Sequence, residues 1–336
     1  MSAADQTAVV TSSTPLTTGQ PRLRPVRAGG RIRRRVFGIS PDAASFTTRG
    51  FAPPAPHIRR RLESAGKTFV LGYNTALEST GLDDLADRLT DVDLLFRGFA
   101  YEGAAMALAL FDTLTPWNRG RLQAFLDGHG HDHIYMVHIG AGWAMARLHR
   151  NFDRATRHSD PLLRWLAADG IGFHEGFFHP DRTIDRQQVP GTLTGYARRA
   201  FDMGLGRSLW FVRGGDPAGV AATIATFNPV RHGELWTGIG LACTYAGGVH
   251  AETIHAVAAA GRRHAADMAQ GAAFAAKARL RAGNPAPHTE MACGILCDST
   301  ADVAAAVTDD ALEGLPADGD LPSFEVWRQR IRANYV

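Results

Sequence analysis

Cysteine is scarce in this chain. Cys243, Cys293 and Cys297 are the only three in 336 residues, too few for a disulfide framework. Lysine is scarcer still, with Lys67 and Lys277 alone, so almost all positive charge is arginine. No run of about 18 apolar residues occurs, which removes the expectation of a membrane span. The N-terminus is polar and lacks the apolar core of a signal peptide, so a cytoplasmic protein is expected. Gly-x-x-x-x-Gly-Lys-Ser/Thr, a dinucleotide fingerprint and a Gly-x-Ser-x-Gly elbow are all missing. No cofactor is therefore expected. Strand-like alternation is also rare.

What is present is apolar and helical. The chain is 45% hydrophobic and 21% charged, enough for a sizeable core. The net charge of +3 is unevenly placed: seven arginines and one acid fall in residues 1–35, and the remainder has 29 bases against 32 acids. Residues 1–34 are rich in Ser, Thr, Pro, Gly and Arg, the composition of a disordered, solvated tail, and no nucleic-acid partner is inferred from them. Order is expected from Val36, followed by an extended arm over Phe51–Pro56 set by Pro53, Pro54 and Pro56. Helical spacing then dominates: Leu85, Leu89 and Val92; Phe99, Gly103, Met106 and Leu110; Ile134, Val137, Ala141, Ala144, Met145 and Leu148. The prediction is a mostly α protein, with residues 35–335 forming a single domain.

Of the chain's 36 glycines many fall inside these helical patterns, a density that suggests close helix crossings. Ordered landmarks suggest two related halves, about 66–180 and 194–300. Phe69-Gly72-Leu77 would match Phe201-Gly204-Leu209, Gly98 would match Gly238, and Gly140 would match Gly271. Two such halves would pack as one body about a pseudo-two-fold axis.

Few residues stand out for chemistry. Glu102 follows Tyr101 in an apolar helix and must be paired, exposed or functional; Arg97 is a candidate partner. Gly172–Pro180 places His174, Glu175 and His179 among Phe173 and Phe177. The five-residue histidine spacing puts the rings about 140° apart on a helix, so the zinc-protease pattern fails. A His–Glu acid/base pair and a simple helix C-terminus both remain open. His138 lies on a helix of small residues, where a core histidine or a functional one would fit. The His129–His133 run reads as a turn, with Asp132 as the N-cap of the next helix. Tyr196, Arg198, Arg199, Asp202 and Arg207 form a polar cluster that reads as a solvated face or an anion site. Cys293 and Cys297 read as buried cysteines, and no metal site is assigned.

Four segments also carry a family resemblance. They are Arg97–Met106, Gly172–Pro180, Gly195–Asp202 and Gly283–Glu290. Together they resemble the family of domain of unknown function 1702, across roughly residues 35–335. Similar members occur in actinobacterial clusters making enediyne polyketides, so the resemblance implies secondary metabolism and antibiotic biosynthesis. It supplies no catalytic residues. The resulting expectation is an accessory protein acting on a hydrophobic polyene or polyketide intermediate by cyclisation, isomerisation or similar acid/base chemistry. Catalytic candidates are His174, Glu175, His138 and Glu102. Substrate-binding candidates are Tyr101, Trp143, Phe173, Phe177 and Tyr196. The alternatives are a non-catalytic binding or scaffold protein, docking on the polyketide synthase or another cluster enzyme, and a metalloenzyme using His138, His174 and His179.

Overall fold

A computed structural model of the chain describes residues 27–115, 117 and 119–336. Of the described residues 72% are helical, and none of them lies in a strand. An N-terminal helix α1 (Ala28–Phe37) precedes seven long core helices. These are α2 (Pro56–Glu78), α3 (Arg97–Leu114), α4 (Ile134–Arg147), α5 (Trp165–Phe178), α6 (Ala197–Val212), α7 (His232–Ala246) and α8 (Ala265–Arg281). Three more follow: α9 (Pro287–Leu296), α10 (Ala301–Asp310) and α11 (Ser323–Arg332). Each core helix packs on the next in chain order. Neighbours in the row point the same way. Along α7 and α8, Gly233 lies against Asp267, Gly271 against the Thr237 carbonyl, and Arg279 donates to the Tyr245 carbonyl at 2.5 Å. Shorter helices and turns carry the chain back between them.

Glycine makes this row possible. Gly-x-Gly occurs at 140/142, 170/172, 204/206 and 238/240, on α4, α5, α6 and α7. Two residues turn a helix by about 200°, so the two glycines of a pair face opposite sides. The first meets the preceding helix and the second the following one. Gly204 abuts the Asp169 carbonyl of α5, and Gly206 abuts the Leu235 carbonyl of α7. A Cβ on Gly204 would lie 1.8 Å from that oxygen, and one on Gly172 would lie 2.0 Å from the Phe201 carbonyl. Backbones this close leave no room for any side chain.

The row curls back on itself, so that its first helices meet α7. Arg61 near the start of α2 donates to the Ala246 carbonyl at the end of α7 at 2.7 Å, and Tyr245 packs edge-on to Phe99. Buried residues of all seven helices form one continuous core. No single helix among the described residues is long and apolar enough to cross a membrane.

Three expectations need correcting. Residues 28–34 are not part of a disordered tail, because α1 begins at Ala28. Arginine composition concealed its docking: Arg33 donates to the Leu77 and Ser79 carbonyls and Arg34 pairs with Glu78, all at the C-terminal end of α2, where cations are favoured. Residues 1–26 lie outside the described residues. Second, Asp132 caps nothing. His131–His133 is a 3₁₀ turn, and His133 occupies the N-cap of α4. Third, the glycine landmarks fall out of register. Gly98 faces the Tyr245 hydroxyl, whereas Gly238 meets the Met203 carbonyl and the Arg207 amide. The glycine of α3 that meets the preceding helix in this manner is Gly103, against the Phe69 carbonyl and the Tyr73 amide. Elsewhere the expectations match: Phe51–Ala55 is non-helical, and α2 opens on Pro56.

Candidate functional site

The curled row encloses a chamber. Its walls come from all seven core helices, and Ala43, Ala44 and Phe46 from the segment before α2 cover one side. Thirty residues line it, almost all apolar or aromatic, including Phe69, Phe99, Trp143, Phe173, Phe177, Phe211, Tyr245 and Phe274. The cavity volume is about 80 Å³, several times what one water needs.

Glu102 is the only carboxylate among the lining residues. It sits mid-way along α3, is 3% exposed, and accepts a 2.9 Å hydrogen bond from Trp143 Nε1. Burial pushes its carboxyl up to about 7, against the opposing pull of Arg207. Arg97, the partner expected from sequence, bonds instead to the Thr90 and Val92 carbonyls. Arg207 also lines the chamber, from α6, and is paired with fully buried Asp169 of α5. Burial raises the Asp169 carboxyl, and the Arg207 guanidinium counters it. Sequence reasoning overlooked Asp169. The signal was the same as for Glu102, a lone acid inside an apolar helix, Trp165–Phe178.

His174 and Glu175 lie on the far side of Trp143, in a separate vestibule of about 420 Å³. His174 Nδ1 is 2.9 Å from Glu175 Oε1. Burial lowers the His174 imidazole below its ordinary value in spite of the Glu175 carboxylate. Burial pushes the Glu175 carboxyl up, but the His174 bond and the charges of His174, His179 and His149 together outweigh it and leave the group below the ordinary range. At neutral pH the pair is a neutral imidazole donating to a carboxylate. Ile39, Trp143 and Phe178 line both the chamber and the vestibule, so they form the partition between them.

The remaining candidates are dispersed. Trp143, Phe173 and Phe177 line the chamber. His138 does not; its Nδ1 lies 2.8 Å from the Ile134 carbonyl, and the residue faces a third groove of about 550 Å³ with His158 and Arg154. Tyr101 stacks on His133 at 3.9 Å and on Phe125, away from the chamber. The Tyr196 hydroxyl donates to Glu325 at 2.6 Å. Glu325 and Glu234 enclose fully buried Arg328 of α11, joined by Arg199. With Arg231 holding Asp202, most of this polar cluster is a set of ion pairs locking helices together, while Arg198 stands exposed on the outer face. His138, His174 and His179 are not brought together, and no group of three or more His, Cys, Asp or Glu among the described residues is placed to hold a metal.

An all-helical protein with an internal apolar chamber and one buried carboxyl in its wall is the class that fold and site define. The chain belongs to the family described as protein of unknown function DUF1702, whose family model matches residues 28–335. No curated protein and no solved structure matches it.

Proposed function

We propose that this protein is a cytoplasmic accessory enzyme of enediyne-type polyketide biosynthesis, moving a proton on a hydrophobic polyene intermediate held in the chamber. The observation that carries this reading is Glu102, the one carboxyl lining an otherwise apolar pocket and itself buried. An apolar pocket with a few convergent polar groups is the default binding site of a globular protein, and here Glu102 and the Asp169-paired Arg207 are among those groups. A carboxyl titrating near 7 serves as base and acid in turn at neutral pH. As carboxylate, Glu102 removes a proton from a methylene flanked by double bonds. The electron pair moves along the polyene, and protonated Glu102 returns the proton at a distant carbon. A double bond has moved and nothing else is consumed. The aromatic walls shield the carbanion-like transition state from water.

The test is genetic complementation read by mass spectrometry of the metabolites. A strain lacking the gene should recover product with the wild-type chain and not with Glu102→Gln. A folded Glu102→Gln protein that restores full product removes the catalytic role. If product is then lost only when Ala65→Trp fills the chamber, the protein shelters the intermediate without catalysis.

A further inference from the structure

We propose that the vestibule beside the chamber is a carboxylate-binding site, and that the ligand is a linear amphiphile. Its anionic head would rest in the vestibule while its tail passes the Ile39–Trp143–Phe178 partition into the chamber. The inference rests on the chamber reading above and adds the ligand's chemical class and orientation. Its first support is geometry: three residues wall both cavities, so the two spaces adjoin across them. Two of them, Trp143 and Phe178, are aromatic rings in edge-on contact at 5.9 Å. Rings of this kind can swing where backbone cannot.

The second support is charge. Arg49, Arg147, His149, His174 and His179 line the vestibule, against the single acid Glu175. Glu175 is already engaged by His174. No acidic partner is recorded for either arginine among the described residues. Arg147 donates to the Tyr73 hydroxyl at 3.3 Å. Arg49 lies over the Phe178 ring at 5.0 Å, and its Nε is buried without a hydrogen-bond partner. A buried guanidinium N–H without an acceptor is costly, and a carboxylate is the acceptor that matches the guanidinium fork. Arg49 also stands on the partition itself, because the ring beneath it belongs to Phe178.

The third support is how the arginine is held. Arg49 ends a short helix, Phe46–Arg49, in the segment that covers the chamber. That segment is tied down at both ends of its turn. Asn74 exchanges two hydrogen bonds with the Ile39 backbone, at 3.1 and 2.8 Å, and Glu63 accepts from the Phe46 amide at 3.1 Å. The same strap therefore supplies Phe46 to the chamber, Ile39 to the partition and Arg49 to the vestibule. An amphiphile would touch all three surfaces in order.

cis-Parinaric acid, a conjugated polyene carboxylic acid that fluoresces in apolar surroundings, and its methyl ester are the probes. Both are titrated against the full chain at pH 7.5. The acid should bind about tenfold more tightly than the ester or better, as a charge-assisted pair would give. Arg147→Gln and Arg49→Gln, singly and together, should bring the acid to the ester's affinity and leave the ester unchanged. Unchanged ester binding also shows that the variants are folded. Equal affinity of acid and ester for the wild-type chain, or variants that weaken both alike, would overturn the head-group site while leaving the chamber reading intact. If neither probe binds, the chamber reading fails and this site falls with it.

Discussion

Glu102→Gln makes the sharpest demand on the structure, because it should stabilise the protein while disabling it. An ordinary glutamate titrates near 4.5, and burial holds Glu102 at about 7. Between those values the folded protein keeps a proton that the unfolded chain releases. Its contribution is thus fully present below about pH 4.5 and is lost as pH rises through about 7. The difference of 2.5 corresponds to about 3 kcal/mol at ~1.36 kcal/mol per unit. Glutamine keeps an oxygen for Trp143 Nε1 and carries no charge. The variant should therefore match wild type at pH 4 and exceed it by about 3 kcal/mol at pH 8. Urea unfolding at the two pH values measures this directly. Parallel stability–pH profiles for the two proteins would show that Glu102 ionises without penalty, and the argument for its role would fail with them.

Other expectations follow from packing and charge. Gly204→Ala places a methyl against the Asp169 carbonyl, where backbone must move, and should cost about 3 kcal/mol or more. Gly294→Ala, on exposed α9 with nothing near its Cβ, should instead raise stability by about 1 kcal/mol; thermal melts of the two variants should shift in opposite directions. Arg328→Met strips the buried counter-charge from Glu234 and Glu325 and should destabilise by about 3–5 kcal/mol in urea unfolding. His174→Gln, lying outside the chamber, should leave metabolite production in the complemented strain well above the level of Glu102→Gln. The reverse order would move the chemistry to the vestibule.

Glu102 and Asp169 show where sequence reading reached the site and where it stopped. Both are single acids in apolar helices, and the cost of burying an idle charge marks such residues whatever the fold. Their partners were not legible. Trp143 is 41 residues from Glu102, and Arg207 is 38 from Asp169. The nearer Arg97 was a reasonable candidate on the same helix, yet its guanidinium reaches back to the carbonyls before α3. Tyr101 and Tyr196 failed differently. Their aromatic character promised a pocket wall, but stacking on His133 and bonding to Glu325 place them elsewhere. The Gly-x-Gly pairs were in plain view at intervals of 30, 34 and 34 residues, from 140 to 170 to 204 to 238. A search for two large halves passed over this shorter spacing.

The helices themselves belong to the sequence. Apolar spacing, proline at the start of α2 and the scarcity of alternating segments each act within a few residues, and local terms of that range can be read without coordinates. The glycines likewise declare that backbones must approach, since no other residue leaves that space. What they meet is another matter. Whether a glycine faces the helix before it or the one after depends on its angle around the axis, and two residues' difference reverses it. The chamber, its separation from the vestibule and the isolation of His138 on another face all arise from the curl of seven helices. That curl is the sum of many crossings, each set by contacts between residues some thirty positions apart, and only the folded chain adds them together.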